Sequence, residues 1–156
     1  DRKFPALRVL NIEKIFPSKL VVKTEFKKII FQINRKGVYY LVAEDFTIVK
    51  KIQKNFHPSY PIIRGFDFSE VSKKKILIDF FSALSEINFP YKIQYIDIYS
   101  LVNFAFYLPE GPKVIMGYRN IPDNLKRFLT IMSTMDVKDI ARIDLRFKNP
   151  IVSFKK

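Results

Sequence analysis

Only a few side chains of the sequence could carry out acid–base chemistry. The one histidine, His57, precedes a proline in a loop-like stretch, where an imidazole is far more often a surface group than a general base. Glu44 and Asp45 are adjacent, and Asp136 and Asp139 lie three positions apart. Carboxylates in such connections are usually turn and helix-cap residues. The sequence therefore predicts no catalytic residue.

Metal and nucleotide chemistry is also disfavoured. The chain contains no cysteine, which excludes disulfides, thiolate metal sites and a cysteine nucleophile. Because it has a single histidine, a dedicated zinc site is not expected either. The four glycines are isolated, so there is neither a glycine-rich phosphate loop nor a Gly-x-Ser-x-Gly elbow. We predict a protein without enzymatic activity, metal or cofactor.

The net charge of +13 points to a different class of function. It favours an anionic partner such as nucleic acid or a lipid surface, and a basic nucleic-acid-binding domain is one alternative. The competing interpretation is that lysine serves as a generic surface residue. None of the basic clusters contains the interleaved aromatic residues of a base-stacking surface. These clusters are Lys27-Lys28, Lys50-Lys51 with Lys54, Lys73-Lys74-Lys75 and Lys155-Lys156.

The apolar content predicts that the chain folds. Hydrophobic residues make up 48% of it, too many for a disordered segment. No apolar run is long enough to span a bilayer, and no signal peptide is visible. Because the chain begins at Asp1, we expect it to be a piece of a longer protein, which leaves room for a membrane anchor upstream.

Alternating apolar residues predict strands and hairpins in the first third of the chain. The predicted hairpin turns are Phe16-Pro17-Ser18 and Asn34-Arg35-Lys36-Gly37, where Gly37 can adopt a positive φ angle. Glu44-Asp45 forms another turn, and residues 53–65 form an irregular connection with an extended piece at Ile62-Ile63. The predicted strands are 9–15, 20–26, 29–33, 38–42 and 46–49.

Two helices are predicted in the remainder. Asp67 lies three positions before Glu70, which predicts a capping box at the start of the first helix. The predicted buried face of this helix is Leu77, Phe80, Phe81, Leu84 and Ile87. Pro122 favours the start of a second helix, whose buried stripe is Leu125, Phe128, Leu129 and Met132. Strands at 91–99, 101–108 and 113–116 complete an α+β pattern with a mostly antiparallel sheet.

The C-terminal stretch, residues 140–154, shows the clearest alternation. Ile143, Leu145 and Phe147 fall on one side, and Arg142, Asp144, Arg146 and Lys148 fall on the other. A period of two over this length predicts one half-buried strand, whose apolar side belongs to the core. Asn149-Pro150 interrupts the strand, and a short apolar run from Ile151 to Phe154 follows.

Four segments resemble, in order, the sequence pattern of one protein family. They are a proline turn and strand at 16–25, an acidic turn between apolar runs at 41–49, Tyr60-Pro61-Ile62-Ile63-Arg64-Gly65, and Ile143-Asp144-Leu145-Arg146-Phe147. Together they resemble the extracytoplasmic region of the bacterial cell-division protein FtsQ, called DivIB in Gram-positive bacteria. The chain departs from the family pattern at Lys28, where a proline is usual, and at Phe46, where a glycine is usual.

The resemblance implies a two-part organisation. Residues 1–27 would be the C-terminal remnant of a POTRA domain, and residues 28–156 would be the β domain, a curved, mostly antiparallel sheet with two helices on one side. FtsQ proteins carry one transmembrane helix upstream, so this region would lie outside the cytoplasmic membrane, in the periplasm where there is one, and the positive charge would suit contact with anionic lipids. A POTRA-type outer-membrane assembly factor is the second alternative.

The resemblance also implies a non-enzymatic divisome scaffold for septum formation that binds FtsB (DivIC) and FtsL-type partners, and no nucleic acid. In the family the site lies at the C-terminal end of the β domain, where a partner adds a strand to an exposed edge. Arg146 would pair with a partner carboxylate, Phe147 replaces the family's tyrosine, and Pro150 removes one N–H from the edge. The predicted partner-binding residues are Arg146, Phe147, Lys148, Asn149, Ile151, Val152, Ser153 and Phe154.

Overall fold

A computed structural model describes residues 4–52, 55–100 and 102–155. The chain divides into two compact units, a first unit (Asp1–His57) and a second unit (Pro58–Lys156). None of the described helices is long and apolar enough to cross a membrane. The sequence-based predictions that fall on Gln53, Lys54, Leu101 and Lys156 lie outside the described residues.

The first unit is built from antiparallel strands. β1 (Leu7–Ile15) pairs with β2 (Lys19–Phe26), and β3 (Ile29–Arg35), β4 (Val38–Ala43) and β5 (Ile48–Ile52) form a meander. Both predicted hairpins are therefore confirmed. In the turn between β3 and β4, Gly37 has a φ of 79° and its N–H donates to Oδ1 of Asn34 at 3.1 Å. Glycine adopts this φ without strain, which explains its place there.

The return strand of the meander starts later than predicted. Phe46 has a φ of 62° and is still part of the turn, where Oδ1 of Asp45 accepts the Thr47 N–H at 3.1 Å. β5 therefore begins at Ile48 and not at Phe46. The hydrogen bond that the Asp45 side chain accepts extends the turn through Phe46 and Thr47. The alternation of apolar residues does not reveal this extension.

The core of the first unit also contains a buried amide. Phe31, Leu41 and Val42 are buried, and Gln32 is itself fully buried. The Gln32 side chain donates to the His57 carbonyl at 2.7 Å and accepts the His57 N–H at 2.8 Å. The two bonds satisfy the buried amide and fix the backbone at the last residue of the unit.

The second unit is a six-stranded sheet with two crossover helices, within the part of it that the structure describes. The strand order is β6-β7-β8-β9-β10-β11. The pairs β6/β7 and β9/β10 are parallel, and the others are antiparallel. A helix connects each parallel pair, which is the usual crossover between parallel strands. The elements are β6 (Ile62–Arg64), α1 (Val71–Glu86), β7 (Tyr95–Ile98), β8 (Asn103–Tyr107), β9 (Lys113–Gly117), α2 (Ile121–Thr134), β10 (Ile140–Asp144) and β11 (Ile151–Phe154).

Both helices pack on the same face of this sheet. Phe104 and Phe106 are alternate residues of β8 and so point to one face. The ring of Phe80 on α1 lies 5.1 Å from that of Phe104 and 5.6 Å from that of Phe106, between centroids. Phe128 on α2 lies 5.5 Å from Phe106. The predicted α+β class, with a mostly antiparallel sheet and helices on one side, is confirmed.

One local prediction about α1 is wrong, and a second is right only in part. The N-cap is Glu70, which makes no side-chain cap bond, and Oδ1 of Asp67 instead accepts the Ser69 N–H at 3.0 Å in the preceding turn. Leu77 and Phe80 are buried as predicted, together with Ile76 and Ala83, but Phe81, Leu84 and Ile87 are only partly covered. Because α1 has apolar residues on two adjoining faces, periodicity alone does not fix its rotation against the sheet.

The strand predicted at 91–99 is also shorter than expected. β7 begins only at Tyr95, although the Gln94 carbonyl already accepts the Ile62 N–H at 2.9 Å and the Gln94 N–H donates to Tyr107 at 2.8 Å. On α2, Pro122 lies in the first turn, as predicted, and Asn120 is the N-cap. Leu125, Phe128 and Met132 are buried as predicted, together with Ile121 and Asn124. The predicted burial of Leu129 is wrong, because this residue is only partly covered.

Candidate functional site

The C-terminal residues form a hairpin and not one long strand. β10 ends at Asp144, residues 145–150 turn, and β11 returns antiparallel with Asp144 paired to Ile151 and Arg142 paired to Ser153. Oδ1 of Asp144 accepts the backbone N–H of Arg146 at 3.2 Å, which bends the chain where the strand was predicted to continue. The single alternating strand predicted through Lys148 is therefore wrong beyond Asp144.

Asp144 is buried, although the alternation placed it on the solvent side. Its side chain is 1% exposed, and it accepts hydrogen bonds from Arg146 Nε at 2.9 Å, Arg146 Nη2 at 2.6 Å and Arg142 Nη2 at 2.8 Å. The hydrogen bonds from Arg146 lower the pKa of Asp144 to about 2, with a further contribution from Arg142, although burial acts in the opposite direction. The same pairing raises the pKa of Arg146.

This pairing holds the guanidinium of Arg146 in a fixed orientation. Asp144 takes its Nε and Nη2, so that within the described part of the chain Nη1 makes no hydrogen bond. About a third of the Arg146 side chain remains exposed. The arrangement presents a preorganised cation that can still donate to an external acceptor.

Phe147 lies at the surface beside this cation. It is 50% exposed, while Ile143 and Leu145 are buried. The predicted core position of Phe147 is therefore wrong, and those of Ile143 and Leu145 are confirmed. The guanidinium carbon of Arg146 lies 5.6 Å from the centroid of the Phe147 ring. The turn after β10 therefore exposes an aromatic ring next to a fixed positive charge.

Arg127 on α2 holds this turn in place, a role that the sequence does not predict. Its Nη2 donates to the carbonyl oxygens of Phe147, at 2.7 Å, and of Lys148. Its Nη1 donates to Oδ1 of the buried Asn124 at 3.0 Å. The only signal in the sequence is a cation next to Phe128 on a predicted helix. Its partners, which are backbone carbonyls about twenty residues away, leave no sequence pattern.

Replacing Arg127 with alanine is expected to loosen the turn without unfolding α2. The loss of charge-assisted hydrogen bonds to two carbonyls should destabilise the turn by about 1–2 kcal/mol. Amide hydrogen exchange of Leu145 and Arg146, whose N–H groups are hydrogen-bonded in the structure, should accelerate accordingly. Lys126→Ala, an exposed position on the same helix, is the control and should leave exchange there unchanged. Equal exchange in the two variants would show that Arg127 does not hold the turn.

β11 lies at the end of the strand order of the second unit. It pairs with β10, and its other side carries no strand in the described part of the chain. Ile151 is 54% exposed and Phe154 is 58% exposed, while Ser153 is exposed and Val152 is partly covered. The structure thus places all the predicted partner-binding residues in one hairpin. Arg146, Phe147, Lys148 and Asn149 lie in the turn, and Ile151, Val152, Ser153 and Phe154 lie on the edge strand.

The carboxylates considered for acid–base chemistry have structural contacts. Asp45 pairs with Lys27 at 2.9 Å, and Glu44 pairs with Arg8 at 2.6 Å. Oδ1 of Asp136 accepts the Lys138 N–H at 2.9 Å, as predicted for a turn residue. Among the described residues, no group of three or more histidine, cysteine or acidic side chains could hold a metal ion.

The comparison with family models points to cell division. The family model described as "Cell division protein FtsQ/DivIB, C-terminal" matches residues 32–146. No curated protein matches the chain. Among solved structures, the fold is similar to the major extracytoplasmic domain of the trans isomer of DivIB from Geobacillus stearothermophilus, with 13% identity and a TM-score of 0.46. That alignment covers 72% of this chain and 96% of the other.

Proposed function

We propose, because the chain belongs to the FtsQ/DivIB family of cell-division proteins, that it is a non-enzymatic scaffold of the divisome. In this proposal it binds FtsB/DivIC- and FtsL-type partners outside the cytoplasmic membrane. The observation that carries the proposal is the exposed edge of β11 next to Arg146 and Phe147. An anchor in a transmembrane helix upstream of Asp1 is part of the same proposal.

The binding mechanism is the addition of a partner strand to β11. An edge strand has unpaired N–H and C=O groups along one side, and a partner strand that pairs with them gains main-chain hydrogen bonds. β11 is four residues long, so the main chain alone offers few of these bonds. Side-chain contacts must therefore supply much of the affinity and the specificity.

The turn before β11 supplies suitable side chains. Arg146 can donate through Nη1 to a partner carboxylate while Asp144 holds the rest of its guanidinium. Phe147 offers an exposed ring, and aromatic and arginine side chains are the commonest anchors of protein interfaces. Because Arg127 fixes the backbone of the turn, binding orders few additional groups, which reduces its entropic cost.

The exposed apolar residues of β1 and β2 support the proposed domain assignment, with residues 1–27 as the end of a POTRA domain and residues 28–156 as the β domain. These two strands form a sheet of their own, and a two-stranded sheet is marginally stable without a covering layer. Another layer of the same domain would cover such residues. The exposed apolar residues of the hairpin are Val9, Leu10, Ile12, Ile15, Phe16, Leu20, Val22 and Phe26.

The test is capture of the FtsB/DivIC-type ectodomain from the same organism by the chain and by an Arg146→Glu/Phe147→Ala double variant. The variant reverses the fixed charge and removes the ring, and we expect at least about 100-fold weaker binding. The matched control is Lys75→Glu/Ile78→Ala on α1, an exposed cation and an exposed apolar residue away from the edge. Wild-type binding by a folded Arg146→Glu/Phe147→Ala variant would overturn the proposed site.

A further inference from the structure

The face of the second unit's sheet that points away from the helices carries a row of polar side chains. Strand pairing places Tyr107 beside Lys113, Lys113 beside Arg142, and Arg142 beside Ser153. Paired residues of adjacent strands point to the same face. Phe106 precedes Tyr107 on β8, and its ring packs against both helices. Because successive residues of a strand point to opposite faces, Tyr107 and the residues paired in its row point away from the helices. The row therefore runs across the open face to the edge strand β11.

Lys113 stands in this row without a carboxylate partner. Its ammonium lies 5.2 Å from the ring centroid of Tyr99 and 5.4 Å from that of Tyr107. The hydroxyls of these tyrosines contact Asp97 at 3.0 and 2.8 Å, but Arg64 forms a bidentate pair with that carboxylate. Within the described residues, no carboxylate oxygen lies within 4.0 Å of the Lys113 ammonium. Its positive charge is therefore stabilised by the two tyrosines and is not neutralised by a carboxylate.

Arg142, the neighbour of Lys113, is only partly compensated. It shares the single carboxylate of Asp144 with Arg146, so two guanidiniums face one negative charge. Only its Nη2 reaches Asp144, and its side chain is about half exposed. Like charges directly opposite one another on adjacent strands destabilise a sheet. An external anion that contacts Arg142 would relieve this repulsion.

Ser153 leaves room for such an anion at the sheet edge. A strand added to β11 would lie two strand spacings from β10, about 9–10 Å. An arginine and an acidic side chain can span this distance together when the side chain between them is small. On the same face, the partner residue beside Ser153 would point toward Arg142, because paired residues share a face.

We propose that Arg142 binds a carboxylate side chain which the partner strand carries beside Ser153, on the sheet face opposite the helices. Lys113 does not touch this carboxylate but adds a positive potential behind Arg142. The partner residues that flank the acidic one face the same side as Val152 and Phe154, and we infer that they are apolar. This inference rests on the proposed function and specifies the chemistry and register of the partner.

The test measures affinity for the same partner ectodomain at several salt concentrations. Arg142→Gln should weaken binding about tenfold and flatten its salt dependence, because a charge-assisted hydrogen bond is lost. Ser153→Glu should weaken binding to a similar extent, because its own carboxylate occupies Arg142, whereas the neutral Ser153→Asn should bind more tightly than Ser153→Glu. Lys126→Gln and Lys138→Gln lower the net charge by the same amount as Arg142→Gln and should bind like the wild type.

The outcomes separate this inference from the proposed function. If Arg146→Glu/Phe147→Ala abolishes binding while Arg142→Gln and Ser153→Glu bind normally, the proposed carboxylate site at Arg142 is wrong. The proposed binding of a partner at the β11 edge is then still supported. If the wild-type chain does not bind the ectodomain, both are wrong. If Arg142→Gln instead reduces binding to phosphatidylglycerol vesicles or to duplex DNA and leaves partner binding intact, the occupant is a lipid or a nucleic acid, and the inference is overturned.

Discussion

Replacing Phe106 with alanine is expected to destabilise the protein by about 3–5 kcal/mol, the usual cost of emptying a fully buried phenylalanine site. The ring of Phe106 is shared by three elements, because it contacts Phe80 on α1 and Phe128 on α2 from its place on β8. Phe89, after α1, packs on it as well, with 6.0 Å between ring centroids. No single neighbour can move to fill the cavity without giving up another contact.

Chemical denaturation followed by helical circular dichroism measures this effect, since both described helices belong to the second unit. Phe147→Ala is the matched control, because it removes a half-exposed ring and should change stability by no more than about 0.5 kcal/mol. A loss below about 1 kcal/mol for Phe106→Ala would mean that α1 and α2 do not depend on a common core. The result also concerns the candidate binding site, because Arg127, which holds the turn between β10 and β11, lies on α2.

The regular elements could be predicted because their signals are local. The turn at Asn34–Gly37 and the proline in the first turn of α2 act within a few residues, and both lie where the sequence places them. The two helices and the strands around them follow from the spacing of apolar residues. The rotation of α1 could not be predicted, because it depends on which of two apolar faces fits Phe104 and Phe106 on β8.

The end of β10 was mispredicted because long-range contacts and one local side chain outweigh the alternation. Asp144 bonds to the backbone of Arg146, and Arg127 binds the carbonyls that follow. An aspartate between two arginines looks like a solvent-facing residue in the sequence. Asp144 is buried because the guanidiniums of Arg142 and Arg146 both bind its carboxylate and cover it.

The candidate site was predicted as residues but not as a geometry. The family resemblance indicated Arg146, Phe147 and the segment after Pro150, and the structure places them together in the β10–β11 hairpin. That β11 is an edge depends on the order of the strands in the sheet, which is set by the parallel pairing of β9 with β10 across α2. The row of Tyr107, Lys113, Arg142 and Ser153 likewise becomes apparent only once the strand register is known, because each of its members lies on a different strand.

Replacing Asp144 with asparagine is expected to destabilise the protein by about 2–3 kcal/mol at neutral pH and to disorder Arg146. The amide keeps the shape but removes the charge that orients two guanidiniums. The folded-state pKa of Asp144, about 2, lies below the ordinary value of 3.8, so its stabilisation is present above about pH 4 and is lost as the pH falls toward 2. That shift corresponds to about 2 kcal/mol, in keeping with the cost of the substitution.

The measurement is the free energy of unfolding of the wild type and of Asp144→Asn between neutral pH and about pH 2. Other carboxylates also titrate there, so the informative quantity is the difference between the two proteins, which should shrink as the pH falls. Asp139→Asn, at an exposed site at the start of the same hairpin, is the control and should follow the wild type throughout. A difference that stays constant with pH would show that Asp144 acts through packing and not through its charge. If the difference shrinks and Asp144→Asn also binds the partner more weakly, the orientation of Arg146 contributes to partner binding at the β11 edge.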